Sequence, residues 1–389
     1  MPCKPAPNPC FPLTAHPSFS ALLLPTPLLR YVDPVHPHPE GRTVLAPVMT
    51  VDSINQHVVK AEYAVRGELV LKSSEYSEKL KDADHGLNFD RIIPCNIGNP
   101  QDLGQAPITF PRQVLALCNY PELMEGGASE GFPDDAVRRA QTYLERIRGG
   151  TGGYTDSMGV EVVREEVAAY IARRDGHAAS PGDIFLTDGA SPAVKMLLQV
   201  LLRGPNDGIM IPTPQYPLYS AGVALCDGAA VSYYLDESND WGLTVDALAA
   251  AIAPARERGV EVRALAIINP GNPTGQCMSE EKMRAVIRFC ADENLVLLAD
   301  EVYQENIWQT ELPFHSFKKV LMDMDAGDPG RDIELVSFHS VSKGFLGECG
   351  RRGGYMELTN IDSGVRDQLY KLASVSLCSN VEVRRGVGC

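Results

Sequence analysis

The sequence predicts an α/β protein whose mostly parallel central sheet is covered by helices on both faces. Three observations predict it. Short apolar runs recur along the chain at lengths suited to strands. These runs are apolar throughout rather than alternating, as in parallel strands buried on both sides. Helical patterns separate them, which is the order that builds a layered α/β fold.

Val160, Val163, Val167 and Ile171 recur at helical spacing, with Gly176 as the stop. Ile184–Thr187 (IFLT) reads as a strand. A helix is predicted next, with Ser191 as N-cap, Pro192 in its first position, and Val194, Leu197, Leu198 and Leu201 on one face. Further strands are predicted at Gly208–Ile211, Val231–Tyr234, Ala264–Ile268, Leu295–Ala299 and Glu334–Phe338, with helices at Val245–Ile252 and Glu280–Glu293. Residues 1–48 stand apart as a proline-rich stretch without period and with no Asp or Glu before Asp33. That composition predicts a disordered or targeting tail, or translation that starts at Met49.

The net charge of −15 argues against a nucleic-acid partner and against a polybasic membrane contact. No apolar stretch reaches the roughly 18 residues of a membrane-spanning helix. The ten cysteines are dispersed, with no CxxC and no Cys/His cluster at metal spacing. They read as free thiols of a cytoplasmic or mitochondrial protein, not a secreted one, and no metal is expected.

In a sheet of this kind the ligand sits where the strands end. Five such ends carry suggestive residues. TDGAS (Thr187–Ser191) is a small-residue turn into a helix N-terminus, suited to a phosphate. PTPQYPLY (Pro212–Tyr219) holds Tyr216 on a proline-stiffened backbone, where its ring could stack on a flat heterocycle. NPGNPTG (Asn269–Gly275) presents Asn272 from a tight loop. LADEVYQ (Leu298–Gln304) ends an apolar run on Asp300, with Tyr303 three residues on. SFHSVSKGFLGECGRRGGY (Ser337–Tyr355) sets Lys343 among small residues, with Ser340 before it and Arg352 after it. Taken singly, each has an ordinary reading as a connector, a cap or a solvated charge. Together they match one ligand, pyridoxal phosphate: phosphate, protonated ring nitrogen, phenolic oxygen, flat ring and aldehyde each find a partner.

From about Ile54 to about Asn380 the chain resembles the class I pyridoxal-phosphate-dependent aminotransferases of fold type I, in their alanine and glutamate:glyoxylate branch. The motifs that carry the resemblance are YAVRGELV, CNIGNPQDLGQAPITFPRQVLAL, GGYTDSMGV, PQYPLYSA, NPGNPTGQ, LADEVYQEN and SFHSVSKGFLGECGRRGGYMEL. NIGNPQ with LGQ, and SKG with LGECG, point to the alanine branch. The resemblance implies that Lys343 holds the cofactor as a Schiff base and moves the substrate proton. It implies that Asp300 keeps the ring nitrogen protonated, that Asn272 and Tyr303 bind the ring oxygen, and that Tyr216 stacks on the ring. Ala190, Ser191, Ser340 and Arg352 would hold the phosphate, Tyr154 would reach the phosphate of a neighbouring subunit in a homodimer, and Gly98 would line the substrate carboxylate. The implied reaction moves the amino group of L-alanine to 2-oxoglutarate, giving pyruvate and L-glutamate.

The resemblance also divides the chain into a tail (1–48), an N-terminal arm with part of a small domain (49–140), a large cofactor-binding domain (141–375) and a divergent C-terminus (376–389). The closing VEVRRGVGC departs from the family pattern, which continues into a segment bearing an arginine for the substrate carboxylate. Arg384 and Arg385 lie in that stretch and receive no role. On this reading the small domain is incomplete and the chain is a poor catalyst. The rival keeps the fold without the chemistry, as an inactive chain that only dimerises. SVSK also fits the S-x-x-K of penicillin-binding hydrolases, but the companion KTG and SDN are absent. His315 and His339 read as structural.

Overall fold

Apolar runs that are too uniform for a half-exposed strand need cover on both sides, and the computed structural model supplies it. It describes residues 36–37, 43–44, 48–63, 67–94, 97–125 and 131–381. Most of the 1–48 tail, and Arg384 and Arg385, lie outside the described residues. Two units are distinguished, Met1–Ile54 and Asn55–Cys389. In the first, β1 (His36–Pro37) and β2 (Thr43–Val44) pair antiparallel.

The second unit opens with helices α1 (Gln56–Lys60), α2 (Glu68–Lys79), α3 (Thr109–Asn119), α4 (Asp134–Arg146) and α5 (Glu161–Asp175). Strand and helix then alternate: β3 (Ile184–Thr187), α6 (Ala190–Leu201), β4 (Asp207–Thr213), α7 (Leu218–Leu225), β5 (Ala229–Tyr234), α8 (Val245–Glu257), β6 (Glu261–Ile268), α9 (Glu280–Glu293), β7 (Val296–Asp300), α10 (Phe317–Met322) and β8 (Leu335–Ser340). Strand β9 (Gly354–Thr359) and helix α11 (Ser363–Val375) follow. The predicted helix stop is present, since Gly176 closes α5 in the left-handed conformation that glycine adopts without strain.

Seven strands form one sheet in the order β3-β9-β8-β7-β6-β4-β5. The pairs β4·β5, β4·β6, β6·β7 and β7·β8 are parallel, and β9 runs antiparallel to both β8 and β3. Side chains alternate between two cores. Met210, Leu265, Ile267, Leu297 and Leu335 pack against α8, α9 and α10 on one face. Ile209, Ile211, Ala266, Leu298, Val336 and Met356 pack against α6, α7 and α11 on the other. A third cluster joins α3, α4 and α5 to Ile184, Leu186 and Tyr355. By contrast α1 and α2 bury no residue, and Val58, Val59, Leu69 and Leu71 are exposed.

Two expectations needed revision. Ser191 is not the N-cap of its helix: α6 begins at Ala190, and Gly189 caps it at φ 85°. The helix thus starts two residues earlier than a serine cap would set, and a β-carbon at Gly189 would collide with the Arg352 guanidinium. Strand β9 was not anticipated, because GRRGGYMEL carries two arginines and three glycines where an apolar run would start.

Gly354 shows how tightly β9 supports the turn after β3. A β-carbon there would lie 2.6 Å from the Gly189 carbonyl carbon, 2.8 Å from the His339 oxygen and 2.9 Å from the Ala190 nitrogen. All three are backbone atoms, which cannot rotate away. Gly354→Ala is therefore expected to destabilise the fold by about 1–3 kcal/mol, the usual range for overpacking. Urea denaturation beside the parent chain measures this, and an unchanged midpoint would show that the strand gives way freely.

Candidate active site

Parallel register brings distant segments to one edge of the sheet. Ile268 pairs with Asp300 and Asp300 with Phe338, so the loops after β6, β7 and β8 leave the sheet side by side. The predicted site residues meet there.

Asp300 ends the middle strand with its carboxylate buried. One oxygen accepts a hydrogen bond from the Tyr219 hydroxyl at 2.9 Å, and the other faces the Val302 N–H at 3.4 Å. Burial pushes its pKa up to about 6, and these two donors only partly offset the loss of water. Neither is a cation.

Lys343 stands on the turn after β8. The Ser342 N–H bonds the Ser340 hydroxyl at 3.3 Å, and the Gly347 N–H bonds the Lys343 carbonyl at 3.2 Å. Its amine donates to the Gly98 carbonyl and lies 5.9 Å from the Tyr303 ring centroid. Burial lowers the Lys343 pKa; Cys349 opposes that effect, and the Arg352 charge adds to it. Asn272 Nδ2 is 3.4 Å from the Tyr303 hydroxyl, which brings the loop after β6 against the turn after β7.

At the far side of the site, Arg352 lies over the TDGAS turn. Its guanidinium donates to the Asp188 carbonyl at 3.1 Å and the Cys349 carbonyl at 3.0 Å. The first backbone N–H groups of α6 lie on the same turn, and Arg352 adds a fixed positive charge beside them, a setting suited to a dianion. Ala190 and Ser191 form the first turn of that helix, and Ser340 is buried nearby at the end of β8. Tyr216 caps the pocket from the turn before α7, and its phenol is pushed up by burial and by a 2.7 Å hydrogen bond with Tyr63. Tyr154 stays outside this group, 82% exposed on the loop before α5.

An open cleft of about 480 Å³ lies beside the lysine, lined by Gly98, Leu103, Gln105, Tyr303, Asn306 and Lys343. This donor set fits pyridoxal phosphate. A buried carboxylate lacks a cation, an amine is held where charge is disfavoured, and a guanidinium fills the space above a glycine at a helix start.

Several contributors were not foreseen. Tyr219 lies three residues after Tyr216 in the same motif, in the first turn of α7, and its proximity in sequence was the available signal. Tyr63 reaches Tyr216 across 153 positions, and nothing local announces it. Asn306 accepts from the Gly344 N–H at 2.9 Å and ties the turn after β7 to the lysine loop. His339 is structural as read, its ring packed edge-on against Tyr355 at 5.5 Å.

Residues 123–382 match the family described as aminotransferase class I and II. The chain belongs to that family. It is 55% identical over 335 residues to the mitochondrial alanine aminotransferase 1 of Arabidopsis thaliana, covering 86% of this chain and 61% of that protein. It therefore spans about three fifths of that relative's length. To glutamate–glyoxylate aminotransferase 2 of the same plant it is 52% identical over 338 residues, covering 87% of this chain and 68% of the relative. A crystal structure of an aminotransferase from Escherichia coli superposes with a TM-score of 0.68 at 25% identity, over 88% of this chain and 71% of that one. The fold is thus that of the fold-type I aminotransferases, with a sheet mixed only at β9. Among the described residues no helix is long and apolar enough to cross a membrane, and Cys226, Cys277, Cys290, Cys349 and Cys378 are free thiols.

The Asp300 carboxyl gives a test of the site's electrostatics that needs no substrate. Its folded pKa of about 6 lies above the ordinary value of 3.8, so burial destabilises the ionised form once the pH passes both. Asp300→Asn keeps an acceptor for Tyr219 and removes the charge. Without cofactor, the variant is expected to be the more stable chain at pH 8, by on the order of 3 kcal/mol. The difference should fade as the pH falls through 6 and vanish below about 4. Thermal melts across that range decide it, and a variant no more stable at pH 8 would show that Asp300 already has a cation.

Proposed function

We propose that the protein transfers the amino group of L-alanine to 2-oxoglutarate, giving pyruvate and L-glutamate, with pyridoxal phosphate held by Lys343. The observation that carries the reading is the pair formed by Asp300 and Lys343. A buried carboxylate awaits a positive partner, and an amine sits where its charge is disfavoured. Pyridoxal phosphate, when bound, supplies an aldehyde for an amine and a protonated ring that withdraws electrons from the amino-acid Cα.

The chain's own residues supply the rest. Lys343 Nζ, with its proton affinity lowered by burial, is a readier nucleophile than a solvated lysine and can take and return the Cα proton. Asp300 would hold a proton on the ring nitrogen by its charge. Asn272 and Tyr303 would donate to the ring oxygen, and Tyr216 would cover the ring with Tyr63 behind it. Arg352, Ser340, Ser191 and the Ala190 N–H would bind the phosphate, Arg352 by charge and the others by hydrogen bonds. Gly98 lines the substrate side of the lysine, where a side chain would crowd the amine: a β-carbon there would come within 3.0 Å of Lys343 Nζ. Tyr154, exposed in this chain, would reach the phosphate bound by a second copy, in a homodimer.

The second reading exchanges the substrates for glutamate and glyoxylate, and is favoured by the 52% identity to a glutamate–glyoxylate aminotransferase. Assays of the purified chain with alanine plus 2-oxoglutarate and with glutamate plus glyoxylate separate the two. The first pair is expected to dominate. Absence of turnover with either, in a chain that still pairs, would favour the inactive dimer.

Borohydride reduction of the cofactor-loaded protein and peptide mapping are expected to place the label on Lys343. A label on Lys195 would overturn the assignment. Asp300→Asn is expected to lower turnover about 10²-fold or more, roughly 2.7 kcal/mol of lost stabilisation. Near-normal turnover in that variant would remove Asp300 from the mechanism.

A further inference from the structure

Two stretches far apart in sequence, 98–112 and 343–349, hold each other. The Lys343 amine donates to the Gly98 carbonyl. Gln105 Nε2 donates to the Phe345 carbonyl at 3.0 Å, and the Cys349 thiol to Asn99 Oδ1 at 3.1 Å. Gln101 Nε2 donates to Glu348 Oε2 at 3.0 Å and to the Gly347 carbonyl at 3.3 Å. Arg112 grips Glu348 with both guanidinium nitrogens, Nη2 reaching Oε2 at 3.1 Å.

Glu348 is where these contacts converge. It is only 8% exposed, which is unusual for a glutamate without a function. Burial works against its carboxylate, but the hydrogen bonds from Arg112 and Gln101 outweigh it and hold the group below its usual range. Its N–H bonds the Val341 carbonyl at 2.8 Å, which fixes it to the lysine loop. Arg112 also bonds the Ile108 carbonyl at 3.1 Å, which anchors it at the start of α3. One carboxylate therefore ties α3, the Gly98 turn and the lysine loop together, without touching the lysine or any group assigned to the cofactor.

We propose that Glu348 is a positioning residue: with Arg112 and Gln101 it fixes the Gly98 carbonyl as the acceptor for the Lys343 amine. The proposal rests on reading Lys343 as the cofactor lysine. A lysine has four rotatable side-chain bonds, so a fixed acceptor is what holds its amine at one place when it is not covalently occupied. A turn that drifts leaves the amine to water and to other rotamers, and fewer chains then present it correctly.

The test titrates pyridoxal phosphate into the full chain, Glu348→Gln, Arg112→Gln, the double variant and Gln101→Ala. The readouts are the visible absorbance of the lysine-linked cofactor, its pH midpoint and the melting temperature. Loss of a charge-assisted contact is expected to weaken cofactor binding about fivefold or more in Glu348→Gln, and to shift the pH midpoint of the absorbance. Gln101→Ala should move both in the same direction by less, and the double variant should be no worse than either single one. If Glu348→Gln does not fold, the sign of the Gln101→Ala shift decides. A lower melting temperature with unchanged binding and midpoint would make Glu348 merely structural and overturn the proposal. A parent chain with no lysine-linked absorbance would instead overturn the cofactor reading itself, and this proposal with it.

Discussion

A carboxylate buried without a cation is the constraint around which the rest of this site is arranged. Asp300 ends the middle strand of a seven-stranded sheet, where no water reaches it and no backbone can move aside. A hydroxyl and one long N–H contact do not balance the charge, and its pKa remains near 6. The register that puts Asp300 there also sets the neighbouring loops. Its partners Ile268 and Phe338 are the last apolar residues before Asn269 on one side and before His339 and Ser340 on the other. One strand pairing thus spaces Asn272, Asp300 and Lys343 around a common opening.

The opposite face of the same strands shows how the chain treats buried charge when nothing external is expected. Lys318 pairs with Glu357, and Arg174 with Asp175 at 2.7 Å, with both pairs largely buried. Glu301 follows Asp300 directly and points the other way. It accepts the Phe317 N–H at 2.7 Å and has Arg174 nearby, although burial still pushes it up to about 8. Charges in that layer have partners from within the chain, or are held neutral by burial. Asp300, whose neighbours are Tyr216, Tyr219 and Tyr303, has phenols around it and, among the described residues, no cation paired with it. The contrast is what gives a functional reading of Asp300 more weight than that of a helix cap.

Much of this was legible because strand ends are local features. Apolar runs located β3 through β8, although β5, at the sheet edge, alternates buried and exposed residues instead of being covered on both sides, and the register brings the segments after β6, β7 and β8 together. What stayed hidden depends on contacts between distant segments. Strand β9 looks like a basic, glycine-rich loop in isolation, and becomes a strand because β3 and β8 offer it two edges. Gly189, not Ser191, caps α6, at a place where Arg352, 163 residues later, leaves no room for a β-carbon. Tyr63 and Glu348 are ordinary residues in their own neighbourhoods, and only packing reveals that one leans on Tyr216 and the other on Arg112.

The motifs on which the resemblance to the alanine branch rests, NIGNPQ with LGQ and SKG with LGECG, turn out to face each other. Asp300 sits on a strand end, and Arg352 on the connection between β8 and β9, bonded to the turn that opens α6. Those positions are held by the sheet itself and leave little room for variation. The branch-linked motifs lie on the turn leading into α3 and on the lysine loop, which hold one another through Gln101, Gln105, Arg112 and Glu348, with the sheet supporting only the second. Such loops can change together without disturbing Asp300 or Arg352, because the bonds they share are mutual. In this chain the Lys343 amine is the atom on which the two sets of residues meet: its backbone comes from the sheet, and its acceptor comes from the Gly98 turn.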